Sequence, residues 1–401
     1  MPVAPRERLV TLDVLRGFAM YGVVLSNLYM LYSLRFAQRP APSDGLLDAL
    51  ADGFLRIVVA SKAQTLLAFL FGFGFAAQLL RARSSEERVW PLYLRRLFTL
   101  FVLGWFHVLV IAWVDVTWGY ALTALLLLPF IRCSTRTLVI VATAFTIIPA
   151  VVYTIPEVRP AMHFLLFDRP PPRYIGEFLA AVKSGDRVDI LRMNAVLGVM
   201  WTLGGSGAWY LPWLLVRFLL GFIAGSRRWF DKDGADNLPM FRKWLGIGAL
   251  VALPAIVLQV LEMTKTFVPH EYELPLQMVL HVVSAFGLLG QTAIYVAMVI
   301  LMMQRATWRK LLGVLAPVGR MPLTTYMMQS LICTSLFYGW GLGWSTPSPA
   351  ACIGLASAIF AVQIAFAHLW LRWFQFGPVE WMWRSIVYLR AQPMRSVSTR
   401  T

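Results

Sequence analysis

Charge is scarce in this sequence. Only 14% of its 401 residues are Asp, Glu, Lys or Arg, while 59% are hydrophobic. One soluble core of this size cannot hide that much apolar surface. Acids are the rarer sign, 20 Asp and Glu against 36 Lys and Arg. Cysteine is nearly missing: Cys133, Cys333 and Cys352 form an odd set without metal spacing and read as free thiols. No HExxH, GxSxG, P-loop or CxxC string occurs, and the FGFGF at 71–75 sits inside an apolar run with no soluble strand before it. Internal repeats and low-complexity segments are lacking as well, so nothing points to the inverted repeats of many transporters. A signal peptide is not indicated either. Asp13 and Arg16 fall where its apolar region would be, and no small-residue cleavage site follows.

What is present is apolar sequence in runs of about 20 residues, with a mean hydropathy of +0.66. Lipid forbids unpaired backbone polar groups, and runs of this length suit helices rather than alternating barrel strands. The expected fold is an all-α, polytopic transmembrane helical bundle of about ten spans. These lie near 12–34, 59–80, 94–114, 116–132, 136–155, 209–226, 243–262, 277–303, 317–339 and 350–374. The net charge of +16 comes from short basic clusters between the runs, which argues for topology and against a nucleic-acid partner. Arg6 and Arg8, then Arg81, Arg83, Arg88, Arg95 and Arg96, then Arg132 and Arg136 occupy alternate connections. Arg227, Arg228, Lys232, Arg242 and Lys243, then Arg305, Arg309, Lys310 and Arg320, and finally Arg384, Arg390, Arg395 and Arg400 continue the alternation. These connections are expected inside, with both termini cytoplasmic. The connections holding Asp44, Asp48 and Asp52, or Glu271 and Glu273, are expected outside. The organisation reads as an N-terminal half, 1–155, an extracytoplasmic loop or cap, 156–208, and a C-terminal half, 209–401. Trp113, Trp118, Trp209, Trp213, Trp340 and Trp344 cluster at expected outer ends, where indoles favour the interface.

An ionisable group inside a span costs at least ~2.5 kcal/mol, so such groups mark partners or function. Asp13 and Arg16 are three apart on one face and can pair, either as an entry anchor or in a ligand site. His107 precedes Asp115 across a tight connection, with Thr117 and Tyr120 nearby. A carboxylate there can hold an imidazole in one tautomer for general-base work, or the histidine can simply bond a neighbouring helix. Arg217 stands in LPWLLVRFLLGFIAG with no charge beside it and needs a counter-ion, an aqueous cavity or an anionic ligand. Thr324, Thr325, Tyr326, Gln329, Ser330 and Thr334 recur at helical spacing, chiefly as packing glue between helices. Arg320 beside them suits a phosphate. In GPVEWMWR, Glu380 and Arg384 can pair at i,i+4 on an amphipathic helix lying on the inner leaflet.

GRMPLTTYMMQSLICTSLFYGWGLG (319–343) and FQFGPVEWMWRSIVYLR (374–390) resemble the C-terminal signature of the DUF418 or YeiB-like bacterial membrane proteins. LDVLRG (12–17), SKAQTLLAFLFGFGFA (61–76) and RRLFTLFVLGWFHVLVIAWVDVTWGYAL (95–122) resemble their N-terminal half. That family is similar in plan to the transmembrane acyltransferases of the heparan glucosaminide acetyltransferase and acyltransferase-3 types. The resemblance implies a multi-pass protein of the bacterial cytoplasmic (inner) membrane that moves an acyl group from cytoplasmic acyl-CoA to an acceptor hydroxyl or amine. The glucosaminide type has its histidine after the first helix, and 31–62 contains none. The DUF418 pattern places histidine, acid and tyrosine at His107, Asp115 and Tyr120, the implied catalytic set. Asp13, Arg16, Arg320 and Arg384 are the implied donor-binding residues. Lys62, Arg217, Tyr326 and Gln329 are those for the substrate. Of a Glu-Gly-Lys-Phe-like start to the second span only Lys62 remains. No metal is expected. The partners are membrane lipid and a small-molecule, glycan or lipid acceptor, with a homodimer left open. The alternative is a transporter or exporter of a small or lipidic anion, with Arg217 in its binding site.

Overall fold

The computed structural model describes residues 9–34, 45–83, 89–152, 154–155, 158, 172–203, 205–267, 273–344 and 347–395. Arg6, Arg8, Arg88, Asp44, Glu271 and Arg400 lie outside them. In chain order the helices are α1 (Val10–Asn27), α2 (Leu46–Phe54), α3 (Lys62–Arg83), α4 (Val89–Val110), α5 (Thr117–Leu126) and α6 (Thr135–Val152). Then come α7 (Pro172–Ser184), α8 (Arg187–Leu203), α9 (Gly205–Ser226), α10 (Leu238–Met263) and α11 (Leu274–Met303). The series closes with α12 (Ala306–Gly313), α13 (Ala316–Arg320), α14 (Pro322–Phe337), α15 (Pro349–Trp373) and α16 (Pro378–Tyr388). Two π-helical turns, Leu28–Tyr32 and Leu55–Val59, extend α1 and α2.

Each of the ten apolar segments is helical, and the protein is an all-α transmembrane bundle. Among the described residues, 7 helices are long and apolar enough to cross a membrane, from Val10–Tyr32 to Pro349–Trp373. The stretches Thr117–Phe130 and Tyr210–Ser226 are shorter apolar helices, and α14 has 16 residues. The outward surface is what lipid requires: Ile247, Leu250, Leu253 and Val257 stand exposed along α10, and Ile140 and Ile148 along α6.

Lipid offers no hydrophobic drive between helices, so close packing and aromatic contacts hold the bundle. Phe71 of α3 stacks on Phe218 of α9 at 5.2 Å, and Tyr120 of α5 meets the same ring edge-on at 5.5 Å. A second core joins α1, α7, α8, α14 and α15, and a third the first half of α1 with α3 and α11. The stretch expected as a loop or cap holds α7 and α8. Helix α8 packs on α4, with Asn194 buried and donating to Leu109 O at 3.3 Å.

Two expectations are corrected. Trp118 is 1% exposed and Trp113 is buried against Phe178 and Trp201, so neither indole sits at an outer interface. The reason is local: the connection after α4 folds back into the bundle instead of capping it. The i,i+4 pair of Glu380 with Arg384 is also replaced. The Glu380 carboxylate turns to α14, and the Arg384 guanidinium lies over the Phe376 ring at 4.5 Å. Helix α16 docks its buried face, Glu380, Trp383 and Val387, on α14 and α4 while Met382, Ile386 and Leu389 stay exposed.

Candidate functional site

The inward fold of the α4–α5 connection creates the site. It requires Gly104, because a Cβ there would stand 2.5 Å from Trp118 N and 2.9 Å from Asp115 Oδ2. With that space open, Asp115 reaches back under α4. Its Oδ2 accepts from Thr117 N at 2.7 Å and Trp118 N at 3.3 Å, and from the Thr117 hydroxyl. One carboxylate oxygen thus satisfies two of the orphan N–H groups that open α5. The other, Oδ1, faces His107 Nδ1 at 3.5 Å. Both side chains are 0% exposed.

The opposite edge of the imidazole meets α14. His107 Nε2 lies 2.8 Å from Ser330 Oγ, and the ring stacks on Tyr326 at 5.0 Å and 24°. Ser330 Oγ also donates to Tyr326 O at 3.2 Å. The order is hydroxyl, imidazole, carboxylate, held by three separate elements in the buried interior of the bundle. An imidazole so placed can take a proton from a hydroxyl while the carboxylate steadies the resulting charge.

The remaining expected residues lie elsewhere. Tyr120 turns to α3 and donates to Gln64 O at 3.3 Å, apart from the imidazole. Lys62 is buried at the start of α3 and donates from Nζ to Arg56 O at 2.9 Å, beside the Arg56–Asp52 pair at 2.7 Å. Gln329 bridges helices, donating to Met20 O at 3.2 Å and Gln363 Oε1 at 3.0 Å, and Gln363 donates to Thr325 O at 2.9 Å. Thr325, by contrast, bonds its own helix at Met321 O. Arg217 is 4% exposed, stacked on Trp213 at 3.8 Å, and donates to Trp213 O at 2.7 Å. Its buried Nε meets no acceptor among the described residues.

A second constellation forms at one end of the bundle. Asp13 and Arg16 pair at 2.9 Å, as their spacing expects. Helix α13 lies hard against them, since a Cβ on Gly319 would stand 1.8 Å from Asp13 O. That contact brings Arg320 to the Arg16 end of α1. The next helix, α14, opens there and is capped from α16: Glu380 Oε1 accepts from Leu323 N at 2.6 Å and Thr324 N at 3.1 Å, and Oε2 from Thr324 Oγ1 at 2.5 Å. Thr324 Oγ1 in turn accepts from Val379 N at 3.0 Å, capping α16. Burial holds the Glu380 carboxyl above the usual range, and its hydrogen bonds pull it back only in part.

Ser330 as the partner of His107 is the residue that sequence reading placed among the packing glue. The two are 223 positions apart, and no local spacing signals their meeting. The Thr324–Glu380 exchange was equally silent, although both strings that carry it, GRMPLTT and GPVEW, stand out in the sequence.

Residues 224–390 match the family described as "Protein of unknown function (DUF418)". YxaH of Bacillus subtilis, an uncharacterised protein, is 30% identical over 423 residues, covering 98% of this chain and 97% of its own. YeiB of Escherichia coli, also uncharacterised, is 27% identical over 416 residues, covering 98% and 100%. With geometry and comparison in hand, this chain belongs to the DUF418 family of YeiB-like membrane proteins.

Proposed function

We propose that this protein is an acyltransferase of the bacterial cytoplasmic membrane, moving an acyl group from cytoplasmic acyl-CoA to an acceptor hydroxyl or amine at or beyond the membrane. The observation that carries this reading is His107, fully buried between Asp115 and a hydroxyl. A lone structural histidine needs one satisfied nitrogen. Here both ring nitrogens face groups suited to moving and stabilising a proton. The anionic donor would be held by Arg16 of α1, Arg320 of α13 and Arg384 of α16, whose guanidinium groups suit phosphates.

The test is CoA release. Protein in lipid nanodiscs, given short- and long-chain acyl-CoA with membrane lipid and glycan extracts, should liberate free thiol. His107→Ala should lower the rate by about a hundredfold or more. No release with any donor and acceptor would overturn the reading.

One observation favours a second reading, transport of a small or lipidic anion. The buried Arg217 meets no carboxylate at ion-pair distance among the described residues, and its Nε lacks an acceptor. Anion flux into vesicles that is lost in Arg217→Leu, with no CoA release, would support it.

A further inference from the structure

The acyl-transfer reading leaves open whether the acceptor attacks the thioester directly. The hydroxyl that His107 touches bears on this, because it belongs to the protein. Ser330 Oγ is fully buried, 2.8 Å from Nε2, on the ring edge opposite the nitrogen that faces Asp115 at 3.5 Å. Serine, histidine and aspartate therefore stand in the sequence of contacts that activates a serine for nucleophilic attack. The imidazole is clamped against the Tyr326 ring, and the single proton of Ser330 Oγ can go either to Tyr326 O at 3.2 Å or to His107 Nε2 at 2.8 Å.

Depth adds a reason for a carrier. Ser330 lies eight residues into α14, about 12 Å along its axis at 1.5 Å per residue. That is close to the middle of a helix whose first turn adjoins the arginine-rich end. A donor bound at that end and an acceptor arriving from the other face need not be present together if a group at the midpoint carries the acyl between them. A group parked there can serve them in turn.

We propose that Ser330 is the acyl carrier, taking the acyl group as an ester before the acceptor arrives. This rests on the acyl-transfer reading above and extends it. In the first half-reaction Ser330 Oγ attacks the thioester carbonyl carbon. The C–O bond forms and the C–S bond breaks, and the serine proton passes to His107 Nε2 and then to the departing CoA sulfur. In the second, the acceptor hydroxyl or amine attacks the ester carbonyl and gives its proton to His107. The bond to Ser330 Oγ breaks, and the serine recovers the proton. No electron is gained or lost, and Asp115 serves throughout as the positioning partner.

The experiment is a single-turnover reaction without acceptor. Folded wild-type protein in nanodiscs is mixed with acetyl-CoA or a long-chain acyl-CoA, and its intact mass and released CoA are followed together. A mass gain of one acyl group, equal to the burst of CoA and mapped to the peptide holding Ser330, is expected. Ser330→Ala should show no burst. Ser330→Cys, checked as folded by gel filtration, should carry the group as a thioester that neutral hydroxylamine removes, a signature no structural serine would confer. An acyl group mapped to another residue, or undiminished turnover in Ser330→Ala with no acylated protein, would overturn the carrier and leave acyl transfer standing. Absence of CoA release from wild-type protein even with acceptor extracts would instead overturn the reading beneath it.

Discussion

Thr324 and Glu380 cap each other's helices. Glu380 closes the first turn of α14, and Thr324 closes that of α16, across 56 positions of sequence. Glu380→Ala would leave two buried N–H groups without acceptors and should cost about 1–3 kcal/mol, seen as a lower unfolding temperature in detergent. The pH sign follows from burial, which raises the carboxyl above its unfolded value. A raised acid stabilises the fold below the unfolded pKa of about 4.5 and loses that contribution as pH rises through the higher folded value. The stability advantage of wild type over Glu380→Gln should therefore shrink between about pH 4.5 and neutrality. An advantage that grows across that window would contradict it.

The pair His107 and Asp115 should behave as one unit. His107→Ala is expected to lose about a hundredfold or more in CoA-release rate and Asp115→Asn less. The double variant should be little worse than His107→Ala alone. Asp115→Ala should differ in kind, lowering stability by about 1–2 kcal/mol because α5 loses its cap. Additive rate losses would mean two independent roles.

Gly104 is a steric test of the inward loop. Gly104→Ala places a methyl against Asp115 Oδ2 and Trp118 N, and should destabilise by about 1–3 kcal/mol and slow catalysis. Gly354→Ala, in α15 with nothing within 4 Å of its Cβ, is the control and should be neutral or better. Equal behaviour of the two would mean the loop sits differently.

Arg217→Leu should insert and fold yet lose activity, whereas Lys, which lacks the planar fork that stacks on Trp213, should rescue only in part. Full activity in the leucine variant would make the guanidinium a packing group.

Orientation is open to reporter fusions. Those placed after Arg136, Arg228 and Arg309 should read cytoplasmic, and one after Asp189 external. A cytoplasmic signal at Asp189 would reverse α8 and the count with it.

The helices were legible because each apolar run declares its own length. The Asp13–Arg16 pair was legible because three residues along a helix is a fixed geometry. His107 and Asp115 were half legible: they are eight positions apart, but only Gly104 reveals that the loop turns inward. Trp118 was misplaced for the same reason, since an indole near a span's end reads as interfacial until the loop's path is known. Ser330 and Thr324 look alike in sequence, polar residues on one helix. What separates them is which neighbour packs there, imidazole or carboxylate, and in lipid that choice is made by tertiary contact, not by local pattern.

The contact between His107 and Ser330 joins pieces of chain that the family match divides. Residues 224–390 contain the serine, while the histidine and aspartate precede it. If Ser330 is the acyl carrier proposed above, neither piece is a chemical unit. On the acyl-transfer reading, a gene cut between α8 and α9 should yield two fragments, each inert, whose co-expression restores turnover only when α4 and α14 meet in the bilayer. Complementation between silent fragments would then report on assembly of the bundle, with the reaction itself as the readout.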